Sequence, residues 1–357
     1  MTKPTVSVVM SVFNGDRFLR EAIDSILNQS FGGFEFVIID DGSNDSSASI
    51  LDDYQGRDVR TKVYHQPHKG LIESLNRGCR LAQGKYIARM DADDVASRDR
   101  LMVQIDFMEA HPQVGVLGGA VEWINAEGRP LGIYRNPAED RQIRAELLYR
   151  CAFWHPTVML REHVFRCTGG YRTAAVDAED YDLWLRIADH FQLANLEDIV
   201  LKYRIHPQQV SMRKRTQQTL GILAAQRSAA LRQKGQEDVF DSAEIITPEL
   251  LAELGVEEST YERALVSDSR RWIRQMNLAG ETSVALNTAV ELLRGNWTHV
   301  EEWQIADLRL TIAGLHWKRG EYSQCIRSAV QAARMRPKVL GRPLRPWLQK
   351  LGLIQAD

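Results

Sequence analysis

Strand-like and helix-like segments alternate along about the first two hundred residues, and this alternation constrains the fold more than any other feature of the chain. Residues 6–13 (VSVVMSVF) are short and β-branched, whereas residues 16–27 (DRFLREAIDSIL) carry apolar side chains at helical spacing. The segments FEFVIID (34–40), TKVYH (61–65) and KYIARM (85–90) continue the series of strands. The pattern predicts an α/β fold in which helices flank a largely parallel sheet.

Polar residues follow three of these strands directly. Phe13 and Asn14 come after the first strand, Asp40 and Asp41 end the second, and residues 91–94 follow KYIARM. In open sheets of this kind, ligands bind at the carboxyl ends of the strands. We therefore expect acidic groups from separate strands to line one crevice.

Three carboxylates, Asp91, Asp93 and Asp94, crowd into the sequence YIARMDADDV. Like charges at this spacing repel each other unless a partner compensates them. On an extended segment Asp91 and Asp93 face the same way, with the small Ala92 between them. A Mn²⁺ or Mg²⁺ ion bound to a substrate diphosphate is such a partner. It supplies positive charge, and these hard cations prefer oxygen ligands. The alternative is a solvated cluster in which Asp94 caps the next helix.

A second acidic pair, Asp40 and Asp41, lies in the sequence IIDDGSNDSS. An ionised aspartate only accepts hydrogen bonds, so either residue can accept the imino N–H of a uracil base. Gly42 would let the turn approach such a ligand closely. An ordinary strand-to-helix turn is the alternative, because aspartate, glycine and serine are common there.

A third acidic pair, Glu179 and Asp180, begins a predicted helix in the sequence AEDYDLWLR. The apolar face of that helix would include Leu183, Trp184 and Ile187. Negative charge suits a helix N-terminus, which is a purely structural explanation for one of the two acids.

Together and in this order, six motifs resemble those of the inverting nucleotide-sugar glycosyltransferases of family 2, which have the A-type glycosyltransferase fold. The motifs lie within residues 4–211 and are VSVVMSVFNG, VIIDDGSNDSS, GLIESLNRG, YIARMDADD, GGYR with AEDYDLWLR, and YRIHPQQVS. The resemblance implies a Rossmann-like, mixed and mostly parallel sheet flanked by helices. It is the joint occurrence of the motifs that is specific, since each one alone is a weak signal.

The resemblance also implies roles for individual residues. Asp180 would be the general base, with Glu179 beside it. Asp93 would be the main metal ligand, with Asp91 at the ribose or at metal-bound water. His206 would complete the metal shell or contact the diphosphate, unless its role is structural. Nucleotide binding, including the contacts to ribose and diphosphate, would fall to Ser11, Val12, Phe13, Asn14, Asp40, Asp41, Asn76, Arg77, Asp91, Ala92 and Arg204.

The implied reaction is transfer of a sugar from a nucleoside-diphosphate sugar to a hydroxyl of a glycan or lipid-linked glycan, with inversion at the anomeric carbon. UDP is the favoured nucleotide, although guanine and thymine donors fit the same motifs. One alternative is a sugar-1-phosphate nucleotidyltransferase, but SVFNGDRFL lacks the glycine-rich phosphate loop that such an enzyme needs. Another is a catalytically silent nucleotide-binding or scaffold protein, which would be expected to have lost its carboxylates.

The sequence predicts a catalytic domain at 1–212, a helix and linker at 213–249 and an all-α region of helical hairpins at 250–357. Within the last region, AGETSVALNTAV aligns without gaps on RGEYSQCIRSAV, which places Gly280 on Gly320, 40 residues later. The alignment predicts two tetratricopeptide-like hairpins, or else plain antiparallel helices. Such hairpins suit self-association or docking to another protein.

Composition narrows the setting. A net charge of −2 indicates no overall basic character for binding nucleic acid, and four cysteines without CxxC spacing indicate reduced thiols. No segment reaches the roughly 18 to 20 apolar residues that span a bilayer. We therefore expect a cytoplasmic protein.

The C-terminal segment 334–350 combines six basic residues with tryptophan and leucine and contains no acid. This composition suits peripheral contact with the anionic inner face of a membrane. A solvated, frayed terminus is the alternative.

Overall fold

The computed structural model of the chain describes residues 3–208, 215–243 and 245–336. The chain divides into two compact units, one comprising Met1–Arg204 with Leu220–Leu251 and the other Ile205–Thr219 with Ala252–Asp357. The first unit contains every predicted site residue except His206. The predicted limits at 212 and 249 remain predictions.

All strands of the described residues form one nine-stranded sheet in the order β3-β2-β1-β4-β8-β6-β9-β5, with β7 paired to β6. The strands are β1 (Val6–Val12), β2 (Phe34–Asp40), β3 (Thr61–His65), β4 (Tyr86–Met90), β5 (Val95–Ala96), β6 (Val114–Ile124), β7 (Pro130–Tyr134), β8 (Met159–Arg161) and β9 (Gln192–Arg204).

The sheet is mixed, as the resemblance implied. Strands β3, β2, β1 and β4 are parallel neighbours, and β6 is parallel to β9. Antiparallel pairings attach β8, β7 and β5. Because β2, β1 and β4 lie side by side with the same direction, their carboxyl ends meet at one edge, where Asp40, Asn14 and Asp91 follow or end them.

Helices cover the sheet and form the second unit. They are α1 (Asp16–Leu27), α2 (Ser47–Arg57), α3 (Leu71–Leu81), α4 (Arg100–Ala110), α5 (Asp140–Leu147), α6 (Glu162–Cys167), α7 (Glu179–Ala188), α8 (Arg215–Gln233), α9 (Val239–Ser242), α10 (Pro248–Glu253), α11 (Glu258–Ala279), α12 (Thr282–Arg294), α13 (Glu302–Lys318) and α14 (Tyr322–Met335). A short 3-10 helix spans His155–Thr157.

The core of the first unit follows from the sequence pattern. All seven residues of β2 are buried, and α1 buries the apolar face that its helical spacing predicts. The predicted linker contains more structure than expected, because Asp238 accepts a hydrogen bond from the backbone N–H of Phe240 and so caps α9.

The two predicted hairpins are present in the second unit. Gly280 follows α11 with φ 91° and Gly320 follows α13 with φ 75°, so both glycines lie in the left-handed region where the chain turns.

All four cysteines are free. In the described residues, no helix is long and apolar enough to cross a membrane. The basic segment lies, from residue 337 onward, outside the described residues.

Candidate active site

The loops after β1 and β2 are joined by side-chain hydrogen bonds. The backbone N–H of Asn14 donates to Ser43 Oγ (3.0 Å), and the N–H of Asn44 donates to Asn14 Oδ1 (2.7 Å). At the end of β1 the carbonyl of Val12, a buried core residue, accepts the N–H of Asp41 (2.8 Å). The residues predicted at the nucleotide, from Ser11 to Asn14 and at 40–41, therefore lie together at one edge of the sheet.

Both aspartates of the second loop are buried and already accept hydrogen bonds. Asp41 accepts from Gln66 Nε2 (2.7 Å) and from the backbone N–H groups of Lys69 (2.9 Å) and Gly70 (2.8 Å). Asp40 accepts from the N–H of Ser43 and lies 2.8 Å from His65 Nδ1. The two carboxylates fix the shape of these loops, and their contact with a base stays a prediction.

An aromatic pair stands at the same edge. The rings of Phe13 and His68 are stacked with their centroids 4.2 Å apart, and Phe13 is 45% exposed. His68 Nδ1 lies 2.8 Å from Asp41 Oδ2, which fixes the imidazole. Phe13 therefore offers an accessible ring for stacking against a planar ligand, and His68 is a candidate site residue that the sequence reasoning missed.

Asn76 and Arg77 make contacts within the protein. The side-chain amide of Asn76 forms two hydrogen bonds with the backbone of Tyr171, donating to its carbonyl (2.8 Å) and accepting from its N–H (3.0 Å). Arg77 donates to Gln66 Oε1 (2.8 Å) and lies over the ring of Tyr64. Both residues stabilise the fold around the site, and a contact with ribose or diphosphate stays a prediction for each.

The three aspartates after β4 converge. One carboxylate oxygen from each of Asp91, Asp93 and Asp94 lies within 4.8 Å of the others. An ideal Cβ on Gly15 would lie 3.6 Å from the Cβ of Ala92, so the turn that carries them adjoins the loop after β1. The structure thus brings the acidic triad (91, 93 and 94) next to the predicted nucleotide loop.

Asp94 is the most enclosed member of the triad, with 1% of its surface exposed. Its Oδ1 accepts the backbone N–H of Arg204 (2.8 Å), whereas its Oδ2 is buried and has no hydrogen-bond partner in the described part of the chain. Burial, together with the charges of Asp93 and Asp91, raises the pKa of Asp94 well above its ordinary value. A buried carboxylate oxygen without a partner fits a cation, and an all-oxygen ligand set fits Mg²⁺ or Mn²⁺.

Arg204 stabilises the backbone of the triad. It is buried, and its guanidinium donates to the backbone carbonyl of Asp93 (2.8 Å) and pairs with Glu21 (2.6 Å). The side chain also lies over the ring of Phe18. These contacts hold the triad's backbone in place, and the predicted contact of Arg204 with a diphosphate stays a prediction.

Arg89 is the cation that compensates the aspartates, and the sequence reasoning missed it. It occupies β4, where it is 4% exposed, and forms an ion pair with Asp91. Its backbone carbonyl accepts a hydrogen bond from the buried Arg100 (2.7 Å). The available signal was an arginine inside an otherwise apolar strand, YIARM, because a buried arginine requires a partner.

The predicted base lies at the N-terminus of α7. Burial raises the pKa of Asp180 to about 6, an effect that Arg89 and the hydrogen bond from the N–H of Tyr181 oppose. Burial and the neighbouring charge of Asp180 raise the pKa of Glu179 to about 8. At neutral pH Asp180 is therefore mainly ionised and Glu179 mainly protonated, which suits Asp180 better for accepting a proton.

One turn of α7 anchors the pair. Asp182 is fully buried and forms ion pairs with Arg172 and Arg186.

His206 is buried, and its Nδ1 accepts the backbone N–H of Gln208 (3.3 Å). His206 belongs to the second compact unit, and its role as a metal ligand stays a prediction.

Sequence comparison places the chain among glycosyltransferases. The model of glycosyl transferase family 2 matches residues 7–168. An uncharacterised glycosyltransferase of Methanocaldococcus jannaschii is 33% identical over 210 residues, which cover 57% of this chain and 72% of the relative. The O-antigen biosynthesis glycosyltransferase WbnJ of Escherichia coli is 34% identical over 205 residues, covering 56% of this chain and 80% of that protein.

A solved structure supports the fold. S. aureus TarS 1–349, in complex with UDP-GlcNAc, matches with a TM-score of 0.54 at 16% identity, over 92% of each chain. This likeness confirms the A-type architecture with a helical C-terminal region. The sequence relatives decide against the nucleotidyltransferase alternative. The chain is a glycosyltransferase and belongs to glycosyltransferase family 2.

Proposed function

We propose that the chain is a metal-dependent, inverting glycosyltransferase that moves a sugar from a nucleoside-diphosphate sugar to a hydroxyl of a glycan or lipid-linked glycan. One observation carries the proposal: one carboxylate oxygen from each member of the acidic triad lies within 4.8 Å of the others, and the buried Oδ2 of Asp94 has no hydrogen-bond partner among the residues that the structure describes. The likeness to an O-antigen biosynthesis enzyme supports a role in surface polysaccharide or glycoconjugate synthesis.

Asp93 and Asp91 would hold Mn²⁺ or Mg²⁺, with Asp94 behind them. When bound, the cation neutralises the negative charge that develops on the departing nucleoside diphosphate. Arg89 and Arg204 keep the triad in place, the first by its ion pair with Asp91 and the second through the backbone of Asp93. Both arginines are buried, so their geometry is fixed before the substrate binds.

The nucleotide would lie along the loops after β1 and β2. Phe13 offers an exposed ring beside the buried carboxylate of Asp41, and the turn carrying Ala92 adjoins Gly15. A base stacked on Phe13 would therefore have its diphosphate directed toward the triad. UDP is the first nucleotide to test, because Asp40 and Asp41 suit the imino N–H of uracil.

Asp180 would accept the proton of the acceptor hydroxyl as that oxygen attacks the anomeric carbon. Its pKa of about 6 leaves it ionised at neutral pH, close enough to the operating pH for proton transfer. Direct displacement of the nucleoside diphosphate inverts the anomeric centre, so an α-linked donor yields a β-linked product.

Calorimetric titration tests the donor site. The full chain is titrated with UDP, GDP and dTDP, each in the presence of Mn²⁺ and then of a chelator. We expect one nucleotide to bind tightly only with the metal, and Asp93→Ala to weaken that binding at least tenfold. Asp106→Ala, which removes an exposed carboxylate on α4, is the matched control and should bind like the wild type.

Two outcomes would contradict the proposal. Nucleotide binding that is insensitive to the chelator would remove the metal role, and unchanged affinity in Asp93→Ala would remove the ligand assignment. Inversion is tested separately by determining the anomeric configuration of the product by NMR, once a donor sugar has been identified among those of the bound nucleotide. A product that retains the donor's configuration would exclude direct displacement.

A further inference from the structure

Four aromatic side chains form a cluster for which the sequence reasoning assigned no role. Trp123 is stacked on Tyr134 with a centroid distance of 3.7 Å, and Trp154 meets Trp123 edge-on at 5.8 Å. Trp154 also lies 5.4 Å from the ring of Tyr203. The aromatic cluster (123, 134, 154 and 203) thus joins β6, β7 and β9 with the segment before the 3-10 helix.

The cluster borders the acidic triad. Trp123 and Tyr203 are register partners in the β6–β9 pairing, and the next residue, Arg204, donates its backbone N–H to Asp94. Burial and the charges of the triad, that of Asp94 first, raise the pKa of Tyr203 well above its ordinary value. The ring of Tyr203 therefore lies within electrostatic reach of the triad, and Trp154 packs on that ring.

The residue after Trp154, His155, packs against the helix that carries the predicted base. Nε2 of His155 lies 2.8 Å from the hydroxyl oxygen of Tyr171, and the imidazole ring packs edge-on against the ring of Trp184. Trp184 lies one turn after Asp180 on α7. Trp154 thus packs on Tyr203, whose neighbour Arg204 binds the triad, and it precedes His155, which packs on the helix of Asp180.

The chemistry of Trp154 suits a sugar ring. The residue is only partly buried, yet its indole Nε1 is buried and has no hydrogen-bond partner among the described residues. A buried indole N–H normally finds an acceptor. A sugar presents C–H groups that pack on an aromatic face and hydroxyls that accept a hydrogen bond, and binding sites typically combine such apolar walls with a few placed donors.

We propose that Trp154, backed by Trp123 and Tyr203, is the platform on which the terminal sugar of the acceptor packs. The inference rests on the proposed function, since it places the acceptor hydroxyl beside Asp180. A platform at this position would orient that hydroxyl without contacting the nucleotide. Trp154 therefore determines acceptor affinity and leaves donor binding unchanged.

Saturation-transfer NMR on the full chain tests the platform. The probes are the methyl β-glycosides of glucose, galactose, N-acetylglucosamine and N-acetylgalactosamine, each measured with and without nucleotide and Mn²⁺. We expect the wild type to bind at least one glycoside. Trp154→Leu should weaken that binding about tenfold, and Trp154→Phe, which keeps a ring but loses the N–H, should weaken it less. Trp303→Leu removes an exposed tryptophan of α13 and is the control.

Metal-dependent nucleotide affinity and the thermal midpoint are measured on the same samples. Unchanged nucleotide affinity in Trp154→Leu, with weakened glycoside binding, supports the platform. A wild type that binds nucleotide but no glycoside would overturn it, and so would a Trp154→Leu chain that loses nucleotide affinity and thermal stability together, because that result indicates packing alone. If the wild type binds a glycoside but no nucleotide, the result supports the platform and contradicts the proposed donor site.

Discussion

The guanidinium of Arg89 forms an ion pair with the carboxylate of Asp91 at the end of strand β4, and the arginine is enclosed whereas the aspartate is 31% exposed. The arginine is buried because β4 lies inside the sheet, between β1 and β8. Its charge lowers the pKa of Asp94, Glu179 and Asp180 against the larger opposing effect of burial. One cation therefore stabilises carboxylates that come from both β4 and α7.

Replacing Arg89 by glutamine should change the pH dependence of catalysis. Without the cation the pKa of Asp180 rises above about 6, so the acidic limb of a plot of kcat/KM against pH moves to higher pH. Loss of the partner of Asp91, which is partly exposed, should also lower the free energy of unfolding by about 1 to 3 kcal/mol. Arg89→Lys keeps a positive charge and should leave the limb near its original position. An unshifted limb in folded Arg89→Gln would show that this charge does not reach Asp180.

Asp180→Asn should lower the rate of transfer by about 10²- to 10⁴-fold, the usual contribution of a positioned general base. In the wild type, activity should rise with pH through about 6, because the base must lose its proton before it can accept one. Asparagine does not titrate, so the residual activity of the variant should lack this limb. Metal-dependent nucleotide binding, measured by calorimetry, should be unchanged. Near-normal turnover in the variant would assign the base elsewhere.

Asp182 offers a comparison on the same helix, because its carboxylate is bound by two arginines and not offered to a ligand. Asp182→Asn removes the buried anion of Arg186 and one of the two buried anions of Arg172, which also pairs with Asp238, and this should lower the free energy of unfolding by about 3 to 5 kcal/mol in a urea titration. The protein that remains folded should transfer sugar within about tenfold of the wild-type rate, unlike Asp180→Asn. A stable but inactive Asp182→Asn variant would reverse the roles of the two aspartates.

Much of the first unit could be predicted from the sequence because its signals are local. The alternation of β-branched and amphipathic segments fixed the order of strands and helices, and β2 coincides with the predicted FEFVIID. Strand direction then brought Asn14, Asp40 and Asp91 to one edge without any knowledge of tertiary contacts. The family resemblance supplied the chemistry that these residues share.

What could not be predicted depends on contacts between distant residues. The hydrogen bonds between Asn76 and Tyr171 join residues 95 positions apart, and Arg204 reaches the backbone of Asp93 across 111 positions. The periodic pattern of apolar residues in a sequence does not predict contacts between residues so far apart. The aromatic cluster was likewise invisible, because Trp154 and Tyr203 meet only once β6, β8 and β9 are assembled.

The glycines of the helical hairpins give a prediction in which the same substitution has opposite effects at two sites. Within residues 3–208, 215–243 and 245–336, an added Cβ would have no heavy atom within 4 Å at Gly280 or at Gly314, so these residues leave space at both sites. Gly280 has φ 91°, where an L-residue is strained, and Gly280→Ala should cost about 1 to 2 kcal/mol of unfolding free energy. Gly314 lies inside α13, where alanine is the better helix former, and Gly314→Ala should add about 0.5 to 1 kcal/mol.

Chemical denaturation of the two variants beside the wild type measures both effects, since the free energy at zero denaturant follows from the midpoint and slope. Gly280→Asn should cost less than Gly280→Ala, because asparagine enters the left-handed region more readily. If Gly280→Ala were as stable as the wild type, the turn would not require its left-handed glycine, and the alignment of Gly280 with Gly320 would lose its structural meaning. Destabilisation by Gly314→Ala would instead show that this face of α13 is covered in the folded protein.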